Sequence, residues 1–246
     1  MAAPRVLILR APGTNCDLET AFAFEQAGAV TQALHINRLC EDASSITHSQ
    51  ILCLPGGFSY GDDIAAGRIL ANQIRHHLQD ALHAFKEAGK LILGICNGFQ
   101  VLVKSGLLLS DTPEAPQATL AWNDSGQFQD RWVHLQTTSD KCVFLKDISS
   151  MYLPIAHAEG KFMACNADTL AQLESAGQLA LKYTDNPNGA QGNAAGVCDA
   201  TGRVFGLMPH PERNIDPTHH PQWTRQKTAT QGDGLKLFQN AVNYFQ

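Results

Sequence analysis

Short runs of hydrophobic residues recur along the first hundred positions and are separated by longer amphipathic stretches. Val6–Leu9, Ile51–Leu54 and Leu91–Ile95 are uninterrupted apolar runs, which predict buried strands. A further strand is predicted at about Gln32–Ile36. Runs that are apolar at every position are typical of strands covered on both faces, as in parallel sheets.

The segments between these runs are predicted to be helical. Asp17 is expected to cap a helix that runs to about Ala27, with Gly28 just beyond its end. One long helix is predicted over 66–88, because apolar residues recur there every four positions and Gly89 closes the pattern. Another begins at about Asn97 and runs to Lys104. This alternation predicts an α/β fold with helices on both faces of an open, mostly parallel sheet.

The second half of the chain has a different pattern, with short strands joined by polar turns. The predicted strands are Thr119–Trp122, Trp132–Thr137, Leu153–Ile155, Leu179–Thr184, Ala195–Asp199 and Val204–Met208. A hairpin turn is predicted at 200–202, a polar surface loop at 214–231 and a last helix at Gly234–Tyr244. We interpret these strands as an antiparallel extension of the sheet. Without a linker or repeat, residues 1–246 are expected to form a single domain.

Composition narrows the class of protein. The 246 residues carry a net charge of −5, and no cluster of Lys and Arg is present, so nucleic-acid binding is not expected. No apolar run is long enough to span a membrane. The seven cysteines are scattered, which favours free thiols in the reducing cytoplasm.

The strongest chemical signal is Gly94-Ile95-Cys96-Asn97-Gly98, between a predicted strand and a predicted helix. This is the nucleophile-elbow pattern with cysteine in place of serine. The tight turn needs small residues two positions before and after the nucleophile. It also places Cys96 at a helix N-terminus, where free N–H groups and the helix dipole favour a thiolate.

A cysteine nucleophile needs a base and a group that orients the base. His210 follows a predicted strand, and Glu212 lies two positions later in an extended, proline-flanked segment that would point both side chains the same way. Gly57, in the Pro-Gly-Gly turn after Ile51–Leu54, and Asn97 are candidates for the two N–H donors of an oxyanion hole.

Other features carry no functional prediction. The remaining six cysteines lack an elbow context, and neither histidine pair, 76–77 or 219–220, predicts a metal site. Trp122 and Trp132 are expected to pack within the antiparallel extension. The chain has no phosphate-binding loop and no dinucleotide fingerprint, so no cofactor is expected on it.

Three motifs in this order, Pro-Gly-Gly, Gly-x-Cys-x-Gly-x-Gln and His-Pro-Glu, resemble the class I (triad) glutamine amidotransferases, which have a flavodoxin-like fold. The stretches Gly-Thr-Asn-Cys-Asp at 13–17, Gly-Phe-Ser-Tyr-Gly-Asp at 57–62 and Asn-Asp-Ser-Gly at 123–126 resemble the members that serve purine biosynthesis. The similarity covers most of the chain.

The resemblance implies a glutaminase in which Cys96, His210 and Glu212 are catalytic, Gly57 and Asn97 stabilise the oxyanion, and Gln100, Phe58 and His157 contribute to the glutamine pocket. It further implies a separate synthetase subunit that uses ATP and magnesium, joined in some members by a small third subunit. The alternatives are a class I amidotransferase for another acceptor, such as anthranilate, GMP or CTP systems, a stand-alone cysteine hydrolase or peptidase, and a binding subunit without activity.

Overall fold

Strands and helices alternate along the chain in a computed structural model that describes residues 2–109, 116–225 and 230–246. The strands are β1 (Arg5–Arg10), β2 (Val30–His35), β3 (Ile51–Leu54), β4 (Leu91–Ile95), β5 (Ala118–Ala121), β6 (Gln129–Thr137), β7 (Ser150–His157), β8 (Lys161–Ala164), β9 (Leu181–Tyr183), β10 (Ala194–Cys198) and β11 (Val204–Leu207). The helices are α1 (Asp17–Gln26), α2 (Ile36–Glu41), α3 (Ser44–Thr47), α4 (Arg68–His77), α5 (Gln79–Glu87), α6 (Asn97–Ser105), α7 (Ala167–Ser175) and α8 (Leu235–Asn243).

Nine of the described strands form one mixed sheet in the order β2-β1-β3-β4-β11-β10-β9-β6-β7. The pairings from β2 to β11 are parallel. Those from β11 to β7 are antiparallel. The mostly parallel sheet with an antiparallel extension is therefore confirmed. β3 and β4 are buried at every position, which explains why the uninterrupted apolar runs predicted them correctly.

Helices cover both faces of the parallel part. The connection from β1 to β2 crosses the sheet in one direction and that from β3 to β4 in the other, so right-handed crossovers place their helices on opposite faces. On one face α1 packs against α8, with the Phe24 and Phe238 rings 4.9 Å apart. On the other, α4 packs against α6.

The single long helix predicted over 66–88 is wrong, because it is broken at Leu78 into α4 and α5. In a continuous helix, residues four positions apart advance about 40° around the axis at each step. Leu82 would then lie about 120° away from Leu70 and leave the buried face. Leu78 leaves the helical region with φ −124° and ψ 1°. The apolar residues that recur every four positions therefore all stay buried: Leu70, Ile74, Leu78 and Leu82.

Three other expectations need correction. Asp17 is the first residue of α1 rather than its cap, because its carboxylate is held by Arg10 at 2.6 Å and Cys16 takes the cap position. The strand at 119–122 forms a separate two-stranded sheet with β8 instead of joining the main sheet.

Four elements of the structure were not predicted: β8, α2, α3 and α7. The described part of 214–231 contains two single turns of 3₁₀ helix, while 226–229 lie outside the described residues.

Of the helices that the structure describes, none combines the length and the apolar character needed to cross a membrane.

Candidate active site

The predicted site residues meet at the carboxyl ends of the parallel strands. Sheet order reverses between β1 and β3, and ligands of open α/β sheets bind at such a switch point. Gly57 follows β3, and Cys96 follows β4 directly. β11 lies parallel to β4 with Leu207 opposite Ile95, so the chain beyond β11 brings His210 to the same edge.

Cys96 occupies a strained turn between β4 and α6, as the elbow motif predicted. Its φ of 50° and ψ of −104° are unusual for a non-glycine residue. A Cβ on Gly94 would lie 2.6 Å from the Gly98 carbonyl oxygen, and one on Gly98 would lie 1.9 Å from the Leu54 carbonyl oxygen. Both glycines are therefore required by space, and they hold Cys96 at the start of the helix.

The segment that carries His210 is fastened to β7, the strand at the antiparallel edge of the sheet. The backbone N–H of His210 donates to the Pro154 carbonyl at 2.9 Å. The predicted extended geometry is wrong, because Pro211–Arg213 forms a turn of 3₁₀ helix that begins at proline. The turn nevertheless brings Glu212 back to the imidazole, with Oε1 2.5 Å from His210 Nδ1.

The His210–Glu212 pair is fully buried and electrostatically coupled. Burial by itself lowers the pKa of His210, but the Glu212 carboxylate, with Cys96, raises it well above its ordinary value. Nε2 of His210 makes no hydrogen bond with the described residues. Cys96 Sγ donates to the Ala156 carbonyl at 3.6 Å. The hydrogen bond between a nucleophile and its base is often absent or long in a free enzyme and forms when substrate binds.

The two predicted oxyanion donors, Gly57 and Asn97, come from the segments that follow β3 and β4. Gly57 lines the same cavity as Cys96. Asn97 opens α6, where the first backbone N–H groups lack acceptors within the helix. The Asn97 side chain is buried and turned to the loop after β3, where its Oδ1 accepts from the Ser59 backbone N–H at 3.2 Å.

Cys96 opens into a cavity of about 200 Å³. Its lining includes the three residues expected to bind substrate, Phe58, Gln100 and His157, together with Ala158 and Glu159. Gln100 is held in place, since its Nε2 donates to the Glu159 carbonyl at 2.7 Å. A larger cleft of about 720 Å³ lies between α4 and α6, but none of the predicted site residues lines it.

His157 presents a neutral ring to this cavity. Its Nδ1 lies 3.1 Å from Asn123 Oδ1, while Asn123 Nδ2 donates to the Gln127 and His157 carbonyls. Because Asn123 Oδ1 is an acceptor, Nδ1 of His157 carries the proton and Nε2 carries a lone pair. Burial, reinforced by His210, lowers the pKa of His157 to about 4.

Cys16, which the sequence assigned no role, lies beside the catalytic candidates. Its Sγ accepts from Arg213 Nη2 at 3.2 Å, and it interacts with His210. Burial raises the pKa of the Cys16 thiol, although His210 opposes this. One donor atom each from Cys16, His210 and Glu212 lie within 4.8 Å of one another, so these residues could approach a metal ion. His210 and Glu212 are, however, already engaged with each other.

The structure adds Asp62 to the site and corrects the expectation for Trp122. Asp62 lines the cavity and lies within one of the stretches that carried the family resemblance, but no periodicity marks it. Trp122 was expected to pack inside the fold, yet it is 60% exposed and borders the cavity, because β5 lies outside the main sheet. Trp132 packs against Tyr152, with ring centroids 5.2 Å apart.

Comparison with known proteins agrees with this architecture. The profile of the CobB/CobQ-like glutamine amidotransferase domain matches residues 3–245. The chain is 44% identical to the phosphoribosylformylglycinamidine synthase subunit PurQ of Dehalococcoides mccartyi, over 99% of this chain and 98% of the relative. It is 40% identical to the subunit of that name in Methanococcus maripaludis, over 98% and 97%.

A solved structure is similar along its whole length. The structure of PurLQS from Thermotoga maritima contains a chain that superposes with a TM-score of 0.79 at 31% identity, covering all of both chains. Family and fold thus agree, and the chain belongs to the CobB/CobQ-like glutamine amidotransferase family.

Proposed function

We propose that this chain is the glutaminase subunit of a phosphoribosylformylglycinamidine synthase, in which it releases ammonia from glutamine for a synthetase subunit. The similarity to curated subunits over nearly the full length supports this assignment. The observation that carries the proposal is the placement of Cys96 at a cavity beside His210, whose other ring nitrogen is held by Glu212.

In the first half of the reaction, the Cys96 thiolate attacks the carbon of the side-chain amide of glutamine. The backbone N–H groups of Gly57 and Asn97 stabilise the negative charge that develops on the amide oxygen. His210, held protonated by Glu212, donates its Nε2 proton to the departing nitrogen. The C–N bond breaks, ammonia leaves, and a glutamyl thioester remains on Cys96.

In the second half, water enters and His210, now neutral, accepts a proton from it at Nε2. The hydroxide adds to the thioester carbon, the C–S bond breaks, and glutamate leaves. Glu212 supports both halves because it holds the ring by the opposite nitrogen, Nδ1. Phe58, Gln100 and His157 shape the cavity in which glutamine binds.

The acceptor chemistry takes place on the partner. This chain carries no nucleotide-binding motif, so we place ATP and magnesium on the synthetase subunit and add a small third subunit as a further candidate member. The outer face of the cavity suits docking. Phe58 and Phe128 are exposed there with ring centroids 6.4 Å apart, beside the exposed Trp122. We call these three residues the aromatic rim.

Glutamine hydrolysis tests the proposal, measured first with the isolated chain and then with the synthetase subunit, ATP, magnesium and formylglycinamide ribonucleotide. We expect low activity alone and a large increase in the complete mixture. Full activity alone would indicate an independent hydrolase. Stimulation by a different synthetase instead would indicate an amidotransferase for another acceptor, and no hydrolysis under either condition would overturn the glutaminase mechanism.

A further inference from the structure

The loop between β3 and α4 carries unusual backbone strain next to the cavity. Tyr60, Asp62 and Ile64 have φ values of 56°, 55° and 70°, in the left-handed region that L-residues avoid. Strain of this kind concentrates at functional sites. The loop is tied down by the Tyr60 N–H, which donates to the Pro12 carbonyl at 2.7 Å. The fold therefore holds Asp62 in a conformation that the residue alone would not choose.

Asp62 is placed on the wall of the cavity that contains Cys96. Its Oδ1 accepts from Asn97 Nδ2 at 3.0 Å, so the carboxylate is joined to the first residue of α6. The same Nδ2 donates to Gln100 Oε1 at 3.0 Å. A carboxylate, the nucleophile and Gln100 are thus held in fixed relation around one cavity.

The lining of the cavity carries more negative than positive charge. Its described lining contains two carboxylates, Asp62 and Glu159, and neither lysine nor arginine. Glu159 is already engaged, since it accepts from the Ala66 N–H at 3.2 Å and lies 3.7 Å from Lys104 Nζ. Burial and the nearby Glu159 raise the pKa of Asp62 to about 6. A cation bound beside Asp62 would favour the charged carboxylate and would therefore oppose both effects.

Free glutamine brings such a cation. Its α-ammonium nitrogen lies about 5 Å from the amide carbon when the side chain is extended, because four bonds of about 1.5 Å follow a zigzag path. Cys96 and Asp62 both line the cavity of about 200 Å³, so one bound glutamine would present its amide to Cys96 and its ammonium group to Asp62. Glutaminyl residues within peptides lack this charge.

We propose that the Asp62 carboxylate binds the α-ammonium group of glutamine and thereby selects the free amino acid over other amides. This inference rests on the proposed glutaminase function. In this proposal Asp62 contacts the substrate directly. Glu159 does not, because it forms an internal ion pair with Lys104.

The test compares glutamine with glutaramic acid, in which hydrogen replaces the α-amino group, as substrates of the assembled complex. The wild type should prefer glutamine in kcat/KM by at least about tenfold, as expected for a hydrogen-bonded charge pair. Asp62→Asn should reduce this preference by about tenfold, mainly through a higher KM for glutamine. Asp63→Asn, at the neighbouring exposed carboxylate, should keep the wild-type preference.

The wild type alone supplies a second measurement that does not depend on whether the variant folds. Between pH 7.5 and 5.5 the KM for glutamine should rise as Asp62 becomes protonated, and the KM for glutaramic acid should not. The charged groups that act on Asp62 are Glu159 and Lys104. Their titration would affect the KM values of both substrates alike, so the comparison isolates Asp62.

An unchanged preference in Asp62→Asn, or parallel KM profiles in the wild type, would overturn the inference. So would loss of the preference in Glu159→Gln but not in Asp62→Asn. If the wild-type complex hydrolyses no glutamine, the proposed function fails instead, so the two failures are distinguishable.

Discussion

Gly98 in α6 packs directly on the backbone of Leu54 at the end of β3: a Cβ on Gly98 would lie 1.9 Å from the Leu54 carbonyl oxygen. This close approach brings the Pro-Gly-Gly turn after β3 next to the elbow after β4. The second glycine of the elbow motif thus serves two purposes, since it permits the tight turn and sets the distance between two segments of the site.

Gly98→Ala should therefore lower the free energy of unfolding by about 3 kcal/mol or more, because the added methyl group meets backbone that cannot move aside. Gly89→Ala is the matched control. Gly89 has φ 75° but open space around its Cβ, so only its backbone conformation is strained, at a cost of about 1–2 kcal/mol. Urea denaturation measures both, and equal losses would contradict the packing argument.

Cys96→Ala should reduce glutamine-dependent amidine formation by the complex by roughly 10³-fold or more, because the covalent intermediate cannot form. Amination with added ammonium chloride should be largely preserved, since it needs only the partner. Cys165→Ala, at an exposed thiol, should change neither rate. If both rates of Cys96→Ala fell together, Cys96 would be a structural residue.

Glu212→Gln should lower the pKa of His210, because the variant keeps an acceptor oxygen at Nδ1 but removes the negative charge that raises this pKa. The resulting loss of proton donation to the departing amide nitrogen should reduce kcat/KM for glutamine about 100-fold or more. NMR titration of the imidazole measures the shift.

Glu174→Gln is the control for this charge removal, since it breaks only the surface pair with Lys182. It should leave the His210 titration and the rate at their wild-type values. A His210 pKa that stays unchanged in Glu212→Gln would contradict the electrostatic role of Glu212.

His157 should make the protein less stable in acid. Its pKa is about 4 in the folded state and about 6.5 when unfolded, so the unfolded chain binds more protons between these values and stability falls as pH falls. From pH 7 to pH 5 this amounts to roughly 2 kcal/mol.

His157→Asn retains an N–H that can donate to Asn123 but does not titrate. On acidification from pH 7 to pH 5, the wild type should therefore lose roughly 2 kcal/mol of unfolding free energy relative to the variant. A difference that is constant with pH would show that His157 is not kept neutral by burial.

Phe128→Ala should weaken association with the synthetase subunit roughly tenfold, because it removes part of the aromatic rim. Phe128 does not line the cavity, so glutamine binding should be unaffected. Phe22→Ala in α1 removes a phenylalanine of similar exposure, 52% against 49%, as a control. Equal affinities of the two variants, measured by calorimetry, would place the interface elsewhere.

Regular elements were predictable where one local rule decided them. β3 and β4 have the predicted bounds because each is a short apolar run, which ends before Pro55 in β3 and at the elbow in β4. α7 was missed although it carries a recognisable signal, since Asn166 caps it by accepting from the Thr169 N–H at 2.8 Å. That helix is mostly exposed, and its weak apolar periodicity concealed the cap.

The catalytic candidates were predictable for a similar reason. The elbow constrains residues within two positions of Cys96, and Glu212 is only two positions from His210, so local sequence contains each relationship. The backbone conformation around His210 was not predicted correctly from the sequence. The 3₁₀ turn at Pro211 replaced the expected extended segment, because the chain there is also fastened to β7.

The sequence by itself determined the alternation of strands and helices, the elbow that strains Cys96, and the motifs that identify the family. Only the tertiary structure decided which distant side chains share the cavity. Asp62 enters the site through a strained loop. Cys16 enters it through close contacts of its segment with residues far away in the chain. No hydrophobic period records such contacts, because each depends on where the rest of the fold holds its partner.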